Sequence, residues 1–408
     1  MEMITHYYLK IIYAPILLGL MIAFFPYQVF CSEADFIHEN KPNDGIQLLL
    51  HKPFIKDAQT AIDQAYNFEF EAAIQTLEPW KRAYPESPIW PFWEALPIWW
   101  EILKDLETEA YDEPFIKQME KVDVQVDKQL RKDRTHADAL VIKALTNGFL
   151  SRLYSNRESW YKSLTHARIS MNILFNLERL YPEIADVQFG LGLYDYFAAH
   201  LTEEYSIVRA FSWMIPNGDK EMGLERLKRA ADESVFLKPE ATYFLGHIYL
   251  HYENEYTQAL NNLTGLTAKF PENTFFQRLL IRTYVRNRRY EKAVLLIEEL
   301  TEKYADSEQE YALLEEMYTV RGNIYFRMFD FSNAEKEYLN ALSLENSFPN
   351  AHKRHRMTEA RYRLAQIYLQ SNRTVEAQNQ FQIIVRNRPD SKYFDQARDA
   401  LKKLKKNG

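Results

Sequence analysis

Glycine is scarce in this chain, with 11 among 408 residues, and cysteine occurs once, at Cys31. Phosphate-cradling loops, tight hairpins and dinucleotide turns consume glycine, because a residue without Cβ lets the backbone turn sharply or approach a ligand closely. Its shortage disfavours a nucleotide-binding α/β fold and favours helices. One thiol cannot build a disulfide framework. Positive charge is not in excess either: 50 basic against 57 acidic residues leave −7, which offers nucleic acid no broad attraction. No His-Glu-x-x-His helix, Gly-x-Ser-x-Gly elbow or Walker loop occurs, so neither a catalytic class nor a cofactor is indicated. Gly190 and Gly192 lack the third glycine of a dinucleotide fingerprint and read as close helix packing. What is present, 47% hydrophobic and 14% aromatic residues, is enough to bury a large core.

The first 36 residues, "MEMITHYYLKIIYAPILLGLMIAFFPYQVFCSEADF", combine a polar start bearing Lys10, an apolar run over 11–25, helix-breaking Pro26, and small Ser32 and Ala34. That order reads as a secretory signal peptide over 1–34, with the mature chain starting between Ser32 and Asp35. An uncleaved anchor in the inner membrane is the alternative. Phe30 beside Cys31 argues against lipidation. The expectation is an exported, bacterial-type protein, periplasmic or otherwise envelope-associated, without a membrane span in its mature part.

"PIWPFWEALPIWWEIL", at 88–103, holds four of the seven tryptophans. Two glutamates and a length below about 20 residues exclude a spanning helix. At about 100° per residue its apolar side chains cover more than half the circumference, so the stretch should be a core helix covered on several sides. Pro91 would sit near its first turn and Pro97 would kink it. An exposed aromatic platform is the competing reading.

Repeats dominate the rest. In "YRLAQIYLQSNRTVEAQNQFQIIVRNRP", Ala365, Tyr368, Ala377, Phe381 and Pro389 fall at offsets 0, 3, 12, 16 and 24. The same ruler finds Gly322, Tyr325, Ala334 and Tyr338, then Tyr284, Tyr290, Ala293 and Ile297. It finds Gly246, Tyr249, Ala259, Leu263 and Pro271 with one extra residue between the helices. These stretches resemble tetratricopeptide repeats (TPRs), in which small residues let two helices approach and large apolar ones fill the gaps. The resemblance implies an all-α, right-handed α-solenoid of helix-turn-helix repeats. Residues 393–404 place Tyr393, Phe394, Ala397, Leu401 and Leu404 on one face and read as a C-terminal capping helix. Ala73, Leu77 and Pro85 extend the pattern into the N-terminal half, and helix pairs are legible at 136–153 with 157–180 and at 184–201 with 219–232. The expected organisation is a 1–34 leader, degenerate repeats over 35–217 with an insertion near 202–217, and clearer repeats plus the cap over 218–408.

In that family the concave groove is lined at positions three before, one after and five after the small first-helix residue. Here those places hold Tyr243, His247 and His251, then Arg278, Arg282 and Arg286, then Asn323 and Arg327, then Tyr362 and Gln366. The arginines and Asn323 are similar to the clamp with which some family members hold a peptide C-terminus, which implies a protein or peptide partner bound through its terminal carboxylate. The competing reading pairs the arginines with neighbouring glutamates such as Glu316 and Glu359. His247 and His251, one turn apart beyond Glu240, have metal-ligand spacing but lack a clear further ligand, and no metal is expected. "HKRHR" at 352–356 reads as a solvated helix start. The function expected is a non-catalytic envelope scaffold. The alternative is an envelope protein that binds or processes glycans through its aromatic side chains. Oligomeric state is not legible.

Overall fold

A computed structural model describes residues 47–204, 218–388 and 391–407, and among these there is no strand. The 1–34 leader, and the 202–217 insertion beyond residue 204, lie outside the described residues. No described helix is long and apolar enough to cross a membrane.

The chain divides into two compact units. Unit 1 takes residues up to 101 and 109–276; unit 2 takes 102–108 and everything from 277. Unit 1 contains α1 (Lys52–Tyr66), α2 (Phe70–Ala83), α3 (Ile89–Trp93), most of α4 (Leu96–Lys104), α5 (Asp112–Lys132), α6 (Ala137–Asn156), α7 (Trp160–Leu180), α8 (Val187–Glu204), α9 (Lys220–Glu233), α10 (Lys238–His251) and α11 (Tyr256–Lys269). Unit 2 contains most of α12 (Thr274–Arg286), then α13 (Tyr290–Lys303), α14 (Tyr311–Arg327), α15 (Phe331–Ser343), α16 (His355–Gln370), α17 (Thr374–Asn387) and the cap α18 (Phe394–Asn407). Within each unit consecutive helices pack on one another, as in an α-solenoid.

One local device recurs. Six first-to-second-helix turns place a non-glycine residue in the left-handed region: Phe68, Glu158, Asn254, Arg288, Phe329 and Asn372, with φ between 54° and 63°. The next residue donates its N–H to a carbonyl near the end of the first helix, as Arg289 does to Tyr284 (2.9 Å), Asp330 to Tyr325 (3.0 Å) and Arg373 to Tyr368 (2.8 Å). This is the Schellman closure, and glycine ordinarily takes its left-handed position. A side chain there costs roughly 1–2 kcal/mol, less for asparagine. Five residues after each of the six comes a fully buried small residue: Ala73, Ser163, Ala259, Ala293, Ala334 and Ala377. Each is the fourth residue of its second helix, and in α9 that place belongs to Gly223. A Cβ on Gly223 would lie 2.5 Å from the backbone nitrogen of Tyr196, and one on Gly192 would lie 2.9 Å from the Gly223 carbonyl oxygen. Glycine therefore serves helix contact here, with backbone against backbone.

The tryptophan-rich stretch is core, but it is two helices rather than one kinked helix. The Pro97 ring would clash with the Trp93 carbonyl four residues back, so α3 ends at Trp93 and α4 restarts at Leu96. Trp99 meets Phe115 and Phe149 with ring centroids at 5.2 and 5.1 Å. Trp100 meets Tyr66 at 5.5 Å and Phe68 at 5.2 Å, and Trp90 donates to the Tyr84 carbonyl at 2.6 Å. Trp90, Trp99 and Trp100 are all buried, so these three do not form an open stacking platform.

Candidate partner-binding groove

In unit 2 the first helices α12, α14 and α16 carry the register positions of the groove, and of these Arg278 and Arg282 are brought together, at Glu316. α14 is buried around most of its circumference, so the adjacent Glu315 and Glu316, about 100° apart on the helix, are both taken out of water. Each then needs cations. Glu316 accepts from Arg278 Nε at 2.7 Å, from Arg282 Nη2 at 2.6 Å and from Arg356 Nη2 at 2.6 Å. Burial alone would raise its pKa, but the fields of Arg278, Arg282 and Arg356 outweigh this and hold the carboxyl well below the usual range. Glu315 has Arg354 as its ion-pair partner, with Nε and Nη2 at 2.7 and 2.6 Å from Oε2. Its Oε1 is buried without a hydrogen bond, and burial, only partly opposed by Arg354, lifts the Glu315 carboxyl to about 7.

The remaining partners come from residues 102–108, which reach unit 2 as an acidic peptide. Arg354, 0% exposed, forks onto Asp105 through Nη1 (2.8 Å) and Nη2 (3.1 Å), and its guanidinium lies 3.9 Å from the Phe348 ring centroid. Arg278 Nη1 donates to the carbonyls of Leu103 (3.3 Å) and Lys104 (3.0 Å), which α4 leaves unpaired at its C-terminus. Glu107 accepts the His355 backbone N–H at 2.7 Å, and Asn350 donates to the Glu107 carbonyl at 2.6 Å. Four arginines thus face four carboxyl groups, Asp105, Glu107, Glu315 and Glu316, and their charges balance when Glu315 is ionised. His355 beside them is pushed down to about 3 by burial and by the cations Lys392, Arg356 and Arg388, so it stays neutral at ordinary pH.

Two sequence expectations change here. Arg278 is 7% exposed and, with the partly buried Arg282, is engaged by Glu316 rather than standing open to solvent. Of "HKRHR", only His352 and Lys353 are exposed; Arg354 is buried and Arg356 partly so, because Asp105, Glu107, Glu315 and Glu316 neutralise them. Glu316 was already among the glutamates considered for the arginines; Asp105, Glu107 and Glu315 escaped the sequence reading, and the contact of Arg354 with Asp105 joins residues 249 positions apart.

The other register positions fall as follows. Asn323 accepts from the Tyr338 hydroxyl at 2.8 Å. Tyr362 stacks on Tyr393 at 4.7 Å, and Gln366 bridges Arg363 and the Tyr362 hydroxyl. Arg286 is half-buried and Arg327 exposed, and neither has a hydrogen bond or ion pair to its side chain among the described residues. In unit 1, Tyr243 stacks on Phe275 at 4.8 Å, and His247 lies against His251 with ring centroids 4.5 Å apart. Glu240, the third member of the considered metal set, is taken by Arg152 at 2.6 Å.

Stacked helical hairpins with a self-satisfied polar groove define a repeat protein of the interaction-scaffold class. This chain is a tetratricopeptide-repeat-containing protein: residues 239–317 and 359–391 each match a tetratricopeptide repeat model. The crystal structure of yeast Tom70 is similar over 88% of this chain and 90% of that one, at 15% identity and a TM-score of 0.29. That of the P58(IPK) TPR domain is similar over 71% and 97%, at 13% identity and 0.17. No curated protein matches the sequence.

Proposed function

We propose that this chain is a non-catalytic scaffold of the cell envelope whose unit 2 groove holds a partner peptide through its carboxylates. The observation that carries this is residues 102–108. The groove already grips a turn-forming Asp-x-Glu segment by the Arg354 fork, a backbone N–H and an asparagine amide, which is the chemistry a peptide ligand would meet. Arg278 and Arg282 are committed to that internal arrangement. The partner's share is the rest of the same register: Arg286, Asn323, Arg327, Tyr362 and Gln366. Arg286 and Arg327 supply the uncommitted charge for a terminal carboxylate.

The test is a peptide array that pairs each free C-terminus with its amide. The free acids should bind about tenfold or more tightly, as a charge-assisted hydrogen bond worth about 1–3 kcal/mol requires. Arg286→Ala/Arg327→Ala should erase the difference while leaving the helical signal intact. Equal binding of acids and amides at low salt would remove the groove reading. Export rests on the apolar run over 11–25 and the small residues beyond Pro26. N-terminal sequencing of the protein recovered from the envelope should begin between Ser32 and Asp35; an intact Met1 in the membrane fraction would replace cleavage by anchoring.

A further inference from the structure

Along one edge of unit 2 the repeat turns carry an odd set of residues. In the α12–α13 turn, Arg288 and Arg289 are exposed, and in the equivalent α14–α15 turn of the next repeat so are Arg327, Met328 and Phe329. With Arg286 these make four arginines whose side chains have no hydrogen bond or ion pair among the described residues, in a chain whose net charge is −7. Charge on this edge is therefore not balanced as it is inside the groove. The acidic groups nearby are few: Asp330 is used in capping α15, where it accepts from Asn333, and Glu335 holds Arg373 of the following turn, leaving Glu291. Lys292 adds to the positive side and lies 6.0 Å from the Tyr284 ring centroid.

Between the cations stands apolar surface. Phe329 is 79% exposed and Met328 53%, and Val375, three residues past the left-handed position of the next turn, is 66% exposed. Phe329 also occupies the left-handed position itself, with φ of 60°, where glycine would fit without strain. Its ring sits edge-on to Phe331 at 6.1 Å and is otherwise turned outward. A large aromatic held in a strained turn, with most of its surface in water, contributes little to folding here and suits an apolar medium outside the protein.

We infer that this edge docks on an anionic membrane surface, with Phe329 and Met328 entering the interfacial layer and Arg288, Arg289 and Arg327 facing lipid phosphates. A convex turn tip with cations around an aromatic is the form that interfacial binding takes, because a bilayer needs no shaped pocket and supplies counter-charge at every point. A protein partner would instead have to provide a matching cavity. Arg286 and Arg327, at the ends of α12 and α14, are shared with the groove reading; Arg288, Arg289, Met328 and Phe329 belong to the turns alone, and the variants below are confined to them.

The test uses the full chain with Cys31→Ser and Met328→Cys, carrying an environment-sensitive fluorophore on the new thiol. This reports contact at the edge whatever the N-terminal apolar run does. Vesicles of phosphatidylcholine with about a third phosphatidylglycerol should shift the emission to the blue, and pure phosphatidylcholine should not. Arg288→Gln/Arg289→Gln should weaken the partition roughly twenty-five-fold, about fivefold for each cation removed from the surface. Phe329→Gly should also weaken it while leaving the melting temperature unchanged or raised, which separates the role from structural support. An unshifted label on anionic vesicles, partition unaltered in the two variants, or a shift produced only by an added acidic protein would overturn the inference.

Discussion

Replacing Arg354 with methionine should lower the stability of unit 2 by about 3–5 kcal/mol, the effect of leaving a buried carboxylate without its cation. In a thermal melt this corresponds to a fall on the order of 10–20 °C. Arg354 is fully buried between Glu315 and Asp105, so no water can replace it. The triple variant Arg354→Met/Glu315→Leu/Asp105→Asn should recover most of the loss, since replacing a whole buried ion set with apolar or neutral groups is often neutral. A single variant melting within a degree of the parent would mean that the network carries no stability. The pH dependence gives a second check. Glu315, raised to about 7 from its ordinary 4.5, binds its proton more tightly in the native state. It therefore favours folding fully below about pH 4.5, and its contribution disappears as the pH rises through about 7. Glu316, held low by its three arginines, works in the opposite sense: its contribution is present above pH 4.5 and is lost as the pH falls through its lowered value. Glu315→Gln should abolish the first slope and leave the second.

The other large effect belongs to unit 1. Gly223→Val should destabilise it by about 1–3 kcal/mol or more, as overpacking at a close contact does. The atoms in the way are the backbone nitrogen and Cβ of Tyr196 and the carbonyl oxygen of Gly192, at 2.5, 2.8 and 2.9 Å from the place a Cβ would take, and none can rotate aside. Gly265 is the control, because nothing lies within 4 Å of a Cβ there. Gly265→Ala in the interior of α11 should raise stability by about 0.5–1 kcal/mol. Chemical denaturation of the three proteins decides the matter, and a Gly223→Val midpoint equal to the parent's would refute the close-packing account.

The repeats were legible where a single residue type marks each contact. Ala259, Ala293, Ala334 and Ala377 announced the second helices of the C-terminal half. Ala73 marked one more, but in the helix pairs at 136–180 and 184–232 the same place is filled by Ser163 and Gly223, which share only smallness with alanine, so those pairs could be read but not their register. Pro97 was visible as a disturbance, but whether it bends or breaks a helix depends on what surrounds it. Here Trp99 and Trp100 anchor the second piece separately in a ring of aromatics. The groove positions followed from the register, yet their charge state did not. Arg278 and Arg282 meet Glu316 at separations of 38 and 34 residues, a pairing the sequence reading left open, while Arg354 and Asp105 are 249 apart and no local pattern joins them.

The placement of residues 102–108 in unit 2 also sets an order of events during synthesis. At about 5–20 residues per second, Arg354 leaves the ribosome roughly 10–50 s after Asp105, the two being 249 positions apart. Throughout that interval the acidic segment has emerged while its cation has not been made. The repeats from 277 onward cannot complete their polar interior from their own sequence, and the final ion pairs close only when the last third of the chain returns to a stretch translated in the first. Assembly of the C-terminal unit is therefore a long-range closure, and the nascent chain carries an uncompensated acidic stretch until its end is nearly finished.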